Sequence, residues 1–394
     1  MNILYFGYWG ARDGLSVATI HPHLEILAEF EFVQSIYFVS IEREGQKEPI
    51  DLKIKKVRHI PLISNRVSSV LLNKIDDFIR FPQKITEFIK QLDISLLICR
   101  SSPAGILGYL VHKKTGVPFW VESFEPHASY MAEAGVWKKW DPRYLIQVVG
   151  ERLQLKATEI VFPASENYKR RLVTQKRPEA LLTIPCTVNT DCFEFNEQNR
   201  EKVRNKLGIG NDMFCGIYTG KFGGLYYDYE AFEMFGQAKE VFKNFFLIVL
   251  TPHPVEEIKQ KLRRVGLSDG HSFVSLVPHQ EVPAYMHAAD FAFSTIKSIQ
   301  SQRFSSPIKL GEYWAAGLPF LLTEGVGDES EILKNGKGGV LFNIKSSREA
   351  LSRMKELLKG SNKKTYVELA KKYRARGLVK EAYEEAFKLN FKAK

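Results

Sequence analysis

Short apolar runs with the length of buried strands recur along the chain, and longer helical patterns lie between them. The clearest helical patterns in the first half are Val17–Ala28 and Val136–Lys156. Strands that alternate with helices favour parallel sheets, so the pattern predicts an α/β fold with doubly wound sheets. The predicted strands are Ile3–Phe6, Phe32–Val39, Ile94–Cys99, Pro118–Val121, Ile160–Phe162, Phe214–Tyr218, Phe245–Leu250, Phe273–Ser275, Phe291–Phe293 and Phe320–Leu322.

The chain of 394 residues is long enough for two domains of ordinary size. The alternation changes at residues 182–195, and a second alternating block follows the polar run 196–205. We therefore predict a first domain over residues 1–195, a second over 196–370 and a C-terminal helix over 371–394.

The composition is that of a globular protein, with 44% hydrophobic and 26% charged residues. No run approaches the ~18 apolar residues of a membrane span. The first ten residues lack the basic leader of a signal peptide and are better interpreted as a buried strand. The four cysteines show no metal-ligand spacing, which favours a reducing, cytoplasmic location.

The net charge of +11 favours anionic partners. No nucleic-acid-binding motif accompanies it, so we expect no nucleic-acid partner. Basic and aromatic residues lie near the start of the helical pattern Val136–Lys156, which is typical of peripheral attachment to an anionic membrane. Tryptophans that pack inside the domain, and a charge that serves solubility alone, remain open alternatives. The residues concerned are Trp137, Lys138, Lys139, Trp140 and Arg143.

The sequence predicts a helix after the apolar run Phe291–Phe293, with residues typical of a helix start and a helix end. Ser306 is a good N-cap, and Pro307 suits the first helical position. Gly317 and Pro319 are expected to end the helix. A helix that begins at the carboxyl end of a sheet strand offers an anion-binding site.

Lys309 and Glu312 lie three residues apart on this helix and therefore project from one side of it. A cation and a carboxylate beside an anion site suit a phosphate and a sugar hydroxyl. A capped surface helix with an ordinary ion pair is the alternative.

A glycine-rich loop follows the strand that ends at Tyr218. Gly220, Gly223 and Gly224 would let backbone amides approach an anion, and Lys221 adds a full charge. A solvated loop lysine is the alternative interpretation of Lys221.

The helix segment resembles the nucleotide-binding signature of GT-B glycosyltransferases, especially family 4 (glycosyl transferases group 1). The resemblance implies two Rossmann-like domains facing a cleft, with the C-terminal helix crossing back to the first domain. The first domain would bind the acceptor and the second the nucleotide sugar. The matching residues are Ser306, Pro307, Lys309, Glu312, Tyr313, Ala315, Gly317 and Pro319.

The resemblance also implies residue roles. Glu312 would bind the ribose hydroxyls, and the preceding loop the diphosphate. Lys221 would stabilise the leaving group, while backbone groups around Val277–Gln280 would bind the base. The full donor-binding set is Gly220, Lys221, Ser305, Ser306, Pro307, Ile308, Lys309, Glu312, Val277 and Pro278.

The chain departs from the family pattern at two positions. Phe304 occupies the place of the family's first glutamate, and Tyr226, Tyr227 and Asp228 lie where a second lysine is expected. Lys309 could supply the missing charge. The departures point to an unusual donor or to a loss of activity.

Candidate residues of the first domain lie at the carboxyl ends of predicted strands and in the loop Gly7–Gly14, called here the first glycine loop, which follows the strand Ile3–Phe6. The resemblance implies that His127 contacts the donor sugar or the acceptor and positions it, without acting as a strong base. A structural loop histidine is the alternative. The predicted catalytic residues are His127, Lys221 and Lys309, and the predicted acceptor-binding residues are Gly10, Arg12, Arg100, Glu122 and His127.

These observations together predict a glycosyltransferase. It would move a hexose from a nucleotide sugar to a glycan or lipid-linked acceptor of cell-envelope polysaccharide synthesis, with retention expected from the resemblance. The sequence has no Asp-x-Asp triplet, so we expect no metal, and no cofactor besides the nucleotide-sugar substrate. The alternatives are a GT-B nucleotide-sugar epimerase and a non-catalytic GT-B subunit that binds a nucleotide sugar.

Overall fold

The computed structural model of the protein describes residues 1–42, 48–64 and 70–392. Residues 393–394, at the end of the predicted C-terminal helix, lie outside the described residues.

Contacts divide the chain into two compact units. The sequence prediction places the domain boundary after residue 195, whereas the contacts divide the chain after Cys186. Unit 1 comprises Met1–Cys186, Phe304–Ser306 and Arg376–Lys394, and unit 2 comprises Thr187–Arg303 and Pro307–Ala375.

Strands and helices alternate along the described residues. The strands are β1 (Asn2–Gly7), β2 (Ser35–Glu42), β3 (Val57–Ile63), β4 (Ile94–Arg100), β5 (Phe119–Ser123), β6 (Ile160–Pro163), β7 (Phe214–Thr219), β8 (Phe245–Leu250), β9 (Ser272–Ser275), β10 (Phe291–Ser294), β11 (Phe320–Thr323) and β12 (Gly339–Phe342). The helices are α1 (Gly14–Thr19), α2 (His21–Glu29), α3 (Val70–Gln91), α4 (Ser102–Thr115), α5 (His127–Glu133), α6 (Pro142–Ala157), α7 (Glu166–Leu172), α8 (Thr190–Phe193), α9 (Glu197–Leu207), α10 (Tyr229–Phe242), α11 (Val255–Arg264), α12 (Val282–Ala288), α13 (Ile308–Ala315), α14 (Glu329–Lys334), α15 (Ser347–Lys359), α16 (Lys363–Arg374) and α17 (Gly377–Lys392).

Each unit contains a parallel sheet of six strands. The order is β3-β2-β1-β4-β5-β6 in unit 1 and β12-β11-β10-β7-β8-β9 in unit 2. Both are the doubly wound order, which reverses between β1 and β4 and between β7 and β10. Ligands of such sheets bind outside the carboxyl ends of the strands at the reversal. The predicted α/β class with two Rossmann-like sheets is confirmed.

Side chains of β1 point alternately to the two faces of the unit 1 sheet, and both faces are covered. Ile3 and Tyr5 pack into a core that includes Tyr383 of α17, whereas Leu4 and Phe6 pack into a second core on the opposite face. Successive side chains of a strand point to opposite faces, so a strand buried on both faces must be apolar throughout. The C-terminal helix α17 is thus part of the unit 1 core.

In unit 2, α13 covers one face of the sheet and α10 covers the other. Leu310 and Trp314 of α13 are fully buried beside Ile217 of β7. Phe232 and Phe235 of α10 belong to the core of the opposite face. Burial of Leu310 and Trp314 fixes the rotation of α13 about its axis, and hence the direction of its other side chains.

Two predicted helices have different bounds in the structure. The pattern Val17–Ala28 forms α1 and α2, which are separated at Ile20 because Pro22 lies in the first turn of α2. The pattern Val136–Lys156 begins as a helix only at Pro142, after the left-handed residue Gly135. The predicted membrane residues 137–140 therefore precede the helix instead of forming its first turns.

Candidate active site

The carboxyl ends of β7 and β10 are adjacent, and the loops that follow these strands are joined by their backbones. The amide of Tyr227 donates to the carbonyl oxygen of Thr295 at 2.9 Å, and the amide of Lys297 donates to that of Leu225 at 2.9 Å. The second loop leads into α13. The glycine-rich loop and α13, called here the signature helix, are distant in sequence. They therefore meet at the reversal point of the unit 2 sheet.

Lys309 lies against the end of β7. Its Nζ donates to the carbonyl oxygen of Thr219 at 3.0 Å and lies 4.4 Å from the centre of the Tyr226 ring. Burial lowers the pKa of Lys309 to about 8, although the nearby carboxylate of Glu312 opposes this shift. The structure thus holds a poorly solvated cation beside the glycine-rich loop.

Gly220 allows this approach. Its φ is +130°, and a Cβ atom at this position would lie 2.9 Å from Nζ of Lys309. The amide of Gly220 donates to the carbonyl oxygen of Leu250 at 2.9 Å. Gly220 therefore shapes the loop around Lys309, while its own amide is already bonded within the sheet.

The side chain of Lys221 is exposed at the surface of the same loop. The hydroxyl of Tyr218 donates to the backbone oxygen of Lys221, and the amide of Phe222 donates to Nε2 of His253 at 3.1 Å. These bonds hold the backbone while the ammonium remains in solvent. The sequence analysis missed His253, which follows β8 and supports the loop.

Tyr313 ties α13 to two strands. Its hydroxyl oxygen accepts from the amide of Thr219 at 3.1 Å and lies 2.9 Å from Oγ1 of Thr219. The same hydroxyl lies 3.2 Å from the carbonyl oxygen of Phe293, to which it donates. Burial raises the pKa of Tyr313. This network fixes the distance between the signature helix and the loop after β7.

Glu312 points from α13 toward the end of β9. Its Oε1 lies 3.2 Å from Nε2 of His279, which begins a short 3₁₀ turn after β9. The hydrogen bond to Glu312 raises the pKa of His279. The predicted base-binding residues precede His279, with Val277 half-buried and Pro278 exposed. The structure therefore brings His279, which lies within the predicted base-binding segment 277–280, beside Glu312. The sequence analysis did not single out the His279 side chain.

The predicted helix start is one residue too early. Pro307 is the N-cap of α13, and Ser306 is not. The Oγ of Ser306 instead accepts from the amide of Cys186 at 3.0 Å, within unit 1. Pro307 has an extended ψ of 122°, so the helix can begin only at Ile308. The contacts group Ser305 and Ser306 with unit 1, and Pro307, Ile308 and the rest of α13 with unit 2.

Phe304, at the place of the family's first glutamate, is an apolar contact of unit 1. Its ring lies 5.8 Å from that of Tyr168, and the guanidinium of Arg171 lies 5.0 Å from its centre. The Oγ of Ser165 donates to its carbonyl oxygen at 2.8 Å. The substitution of a glutamate by phenylalanine is therefore accommodated by packing.

Arg100 and Glu122 meet at the carboxyl ends of β4 and β5 in unit 1, where both are buried. NH1 of Arg100 and the hydroxyl of Tyr5 each donate to Oε2 of Glu122 at 2.6 Å. Oε1 accepts from the hydroxyl of Tyr383 and lies 3.3 Å from Nδ1 of His23. Burial opposes the charge of Glu122, but His23 and Arg100 outweigh it and hold the pKa of this carboxyl well below its usual value. The network favours a positioning role for both residues over direct contact with an acceptor.

The first glycine loop is also bonded to a buried carboxylate. The amide of Ala11 donates to Oε1 of Glu42 at 2.6 Å, and a Cβ atom on Gly10 would lie 2.7 Å from Oε2. Gly10 is thus needed for the close approach of Glu42, while Arg12 is exposed. The role of Arg12 as an acceptor contact stays a prediction.

His127 begins α5 and is half-buried. Its Nδ1 lies 3.1 Å from Oε1 of Glu125, and its ring packs edge-on against Trp137 with centroids 5.7 Å apart. The Glu125 carboxylate orients the ring and holds Nδ1, which leaves Nε2 as the nitrogen that could contact a sugar.

No group of three or more His, Cys, Asp or Glu side chains among the described residues is placed to hold a metal ion. None of the helices in the described ranges combines the length and the apolar character that crossing a membrane requires.

Known proteins resemble the chain in sequence over part of unit 2 and in fold over nearly all of the chain. The family model of glycosyl transferases group 1 matches residues 217–360, which include the glycine-rich loop and α13. A comparison with curated proteins by sequence returns no match.

Solved structures resemble the chain over its whole length. Sucrose-phosphate synthase (tll1590) from Thermosynechococcus elongatus has 13% identity and a TM-score of 0.78, with 100% of both chains covered. Anabaena Alr3699/HepE, solved in complex with UDP, has 14% identity and a TM-score of 0.71, covering 98% of this chain and 100% of its own. The lipopolysaccharide outer core galactosyltransferase WaaB has 13% identity and a TM-score of 0.65, covering 99% of this chain and 100% of its own.

At these identities the structural likeness establishes the fold, and the family model establishes the class of the second unit. Both agree with the resemblance inferred from the signature helix. The chain has the GT-B fold, and residues 217–360 of it carry a domain of glycosyl transferases group 1.

Proposed function

We propose that this protein transfers a hexose from a nucleotide-diphosphate sugar to a glycan or lipid-linked acceptor, with retention of the anomeric configuration and without a metal ion or other cofactor. A uridine diphosphate sugar is the proposed donor, because the HepE structures contain UDP and UDP-glucose. The acceptor class is supported by the likeness to WaaB, a lipopolysaccharide outer core galactosyltransferase. Retention rests on the family resemblance.

The observation that carries the proposal is the placement of Lys309. Its ammonium lies at the reversal point of the unit 2 sheet, 3.0 Å from the carbonyl oxygen of Thr219. Burial that lowers its pKa to about 8 makes the charged form costly without an anion. A diphosphate at this point would restore a favourable environment for the charge.

In the proposed reaction, the residues of unit 2 stabilise the leaving diphosphate. Lys309 and Lys221 supply positive charge, and the amide end of α13 contributes partial positive charge. Lys309 takes the role of the family's second lysine. Glu312 accepts hydrogen bonds from the ribose hydroxyls after exchanging its contact with His279.

The bond changes require no strong protein base. The bond from the anomeric carbon to the diphosphate oxygen breaks, and a bond from the acceptor oxygen to the same carbon forms. The departing phosphate oxygen takes the proton of the acceptor hydroxyl. His127 is proposed to position the sugar or the acceptor through Nε2, with Arg12 as an acceptor contact.

Two assays test this function. A thermal-shift screen of nucleoside diphosphates should identify the base, since a ligand at one hundred times its dissociation constant stabilises the fold by about 2.7 kcal/mol. Hydrolysis or transfer should then be measured with labelled sugars of the nucleotide that binds. Turnover of a UDP-sugar is expected. Tight binding with no turnover would contradict transfer and would favour the binding subunit.

A further inference from the structure

The helix α6 of unit 1 is oriented with polar residues inward. Gln147 and Gln154 are buried, and Nε2 of each donates to Oγ of Ser102 on α4, at 2.9 and 2.8 Å. Gln147 also donates to Oε1 of Glu151 at 3.0 Å. Gly150 faces α4 closely, because a Cβ atom there would lie 2.5 Å from Cδ1 of Ile106. These contacts fix the rotation of α6 about its axis, so the side opposite Gln147 and Gln154 faces outward.

The outer side of α6 is apolar, which reverses the usual arrangement of a helix on a globular protein. Val136 and Trp140 precede the helix in the chain and are exposed as well, Trp140 to 78%. Contiguous exposed apolar surface of this kind marks an interaction site. The α6 face is defined here as Val136, Trp140, Leu145, Ile146, Val149 and Leu153, which are all exposed.

Basic residues surround the α6 face. Lys138 and Lys139 lie at one end, and Arg152 and Lys156 lie along the second half of the helix, all exposed. Arg143 pairs with Asp141 at 2.6 Å, and Glu151 is turned inward to the glutamines. The exposed carboxylates of this region are Glu133 and Glu159, which lie before and after the face in the chain.

We propose that the α6 face binds the surface of an anionic lipid bilayer, with its apolar side chains in the headgroup region. An apolar side flanked by cations matches an interface with acyl chains below and anionic headgroups above. Tryptophan at the end of such a face is typical of the membrane–water boundary. A second copy of the chain is a poorer occupant, because it would bring basic residues against basic residues.

Membrane binding by the α6 face does not depend on the proposed transfer reaction. It would place unit 1 at the surface where a lipid-linked acceptor resides.

Vesicle co-sedimentation of the full chain tests the proposal. The probes are vesicles of phosphatidylcholine alone and vesicles that also contain phosphatidylglycerol, each at low and high salt. We expect binding to the anionic vesicles that weakens with salt. Binding that is equal on neutral and anionic vesicles, or an absence of binding to either, would overturn the proposal.

Two variants and a control locate the binding surface. Ile146→Gln with Val149→Gln should weaken binding at least tenfold. Lys138→Gln with Lys139→Gln should weaken it about 25-fold, since each basic residue near an anionic surface contributes about fivefold. The control Ile79→Gln changes another exposed apolar side chain of unit 1 and should bind like the wild type.

The altered positions are exposed, so the variants should fold and keep wild-type affinity for nucleotides. Equal vesicle binding by the apolar variant and the control would overturn the proposal. So would a dimer of the wild type, detected by sedimentation velocity, that the apolar variant loses.

Discussion

The ammonium of Lys309 donates to the carbonyl oxygen of Thr219 across 3.0 Å, which joins the signature helix to the loop that carries Lys221. This contact brings two cations from distant parts of the sequence to one edge of the unit 2 sheet. The group 1 pattern expects a second lysine in the loop itself, where this chain has Tyr226. The ring of Tyr226 lies 4.4 Å from the Lys309 ammonium instead.

If Lys221 and Lys309 act on one diphosphate, their effects should not add. We expect Lys221→Ala and Lys309→Ala each to reduce turnover about 10- to 100-fold, the value of a hydrogen bond to a charged group. The double variant should lose less than the product of the two effects. Steady-state kinetics of all three measures this, with Lys202→Ala on α9 as an exposed control. A strictly additive result, or a silent Lys221→Ala, would refute a shared phosphate.

The lowered pKa of Lys309 predicts that donor binding takes up protons. The free protein loses the charge as pH rises through about 8, and a bound diphosphate would raise this pKa again. Affinity for a UDP-sugar should therefore fall above pH 8. Calorimetry in buffers of different ionisation enthalpy measures the proton uptake near that pH. Lys309→Met should abolish the uptake, and uptake that persists in this variant would assign it to another group.

His279 should reduce donor affinity at acid pH. Its pKa is raised by Glu312, so the imidazolium that pairs with this carboxylate is favoured as pH falls. Ribose hydroxyls must then compete with a charged partner. A UDP-sugar is the suitable probe, because its diphosphate is esterified at both ends and lacks the phosphate pKa near 6. Affinity should rise from pH 5.5 to 7.5 in the wild type, at roughly the pH where histidine titrates, and should be flatter in His279→Ala. An unchanged profile in the variant would separate His279 from the donor site.

Glu122 should matter for the stability of unit 1. Its carboxylate bonds Arg100 and Tyr5 in a fully buried network. Removal of one partner of a buried ion pair leaves an uncompensated charge and costs about 3–5 kcal/mol. We expect Glu122→Ala to lower the free energy of unfolding by this amount in chemical denaturation, while the exposed control Glu159→Ala changes it little. If Glu122→Ala loses turnover while its free energy of unfolding is unchanged, the result would instead favour Glu122 as an acceptor-binding residue.

The sequence predicts the inner strands of both sheets and misses the edge strands β3 and β12. β8 has the predicted bounds, because all its residues are buried. β3 was missed because Arg58, His59 and Pro61 interrupt the apolar pattern of this edge strand. β12 was missed because it begins at Gly339, directly after Gly336, Lys337 and Gly338, and such a glycine-rich run is typical of a loop.

The sequence also predicts part of the donor site. Lys309 and Glu312 are predicted by their spacing on one helix and by the family signature. His253 and His279 are absent from the prediction because each acts through a partner more than thirty residues away. A signal was present, since both histidines closely follow predicted strands and so lie at the carboxyl edge of the sheet. The sequence did not predict which side of α6 faces outward. The apolar residues of α6 have the spacing of a buried helix face, but the hydrogen bonds from Gln147 and Gln154 to α4 turn the glutamines inward and the apolar residues outward.

Calorimetric titration of a UDP-sugar into the wild type and Glu312→Ala tests most directly whether unit 2 binds a nucleotide sugar at the ends of β7 and β10. We expect saturable binding by the wild type and affinity about 10- to 100-fold weaker in the variant, which corresponds to about 1.5–3 kcal/mol for a lost hydrogen bond to a charged group. The exposed control Glu201→Gln should match the wild type. Equal affinity in a folded Glu312→Ala protein, or no binding by the wild type, would contradict this assignment.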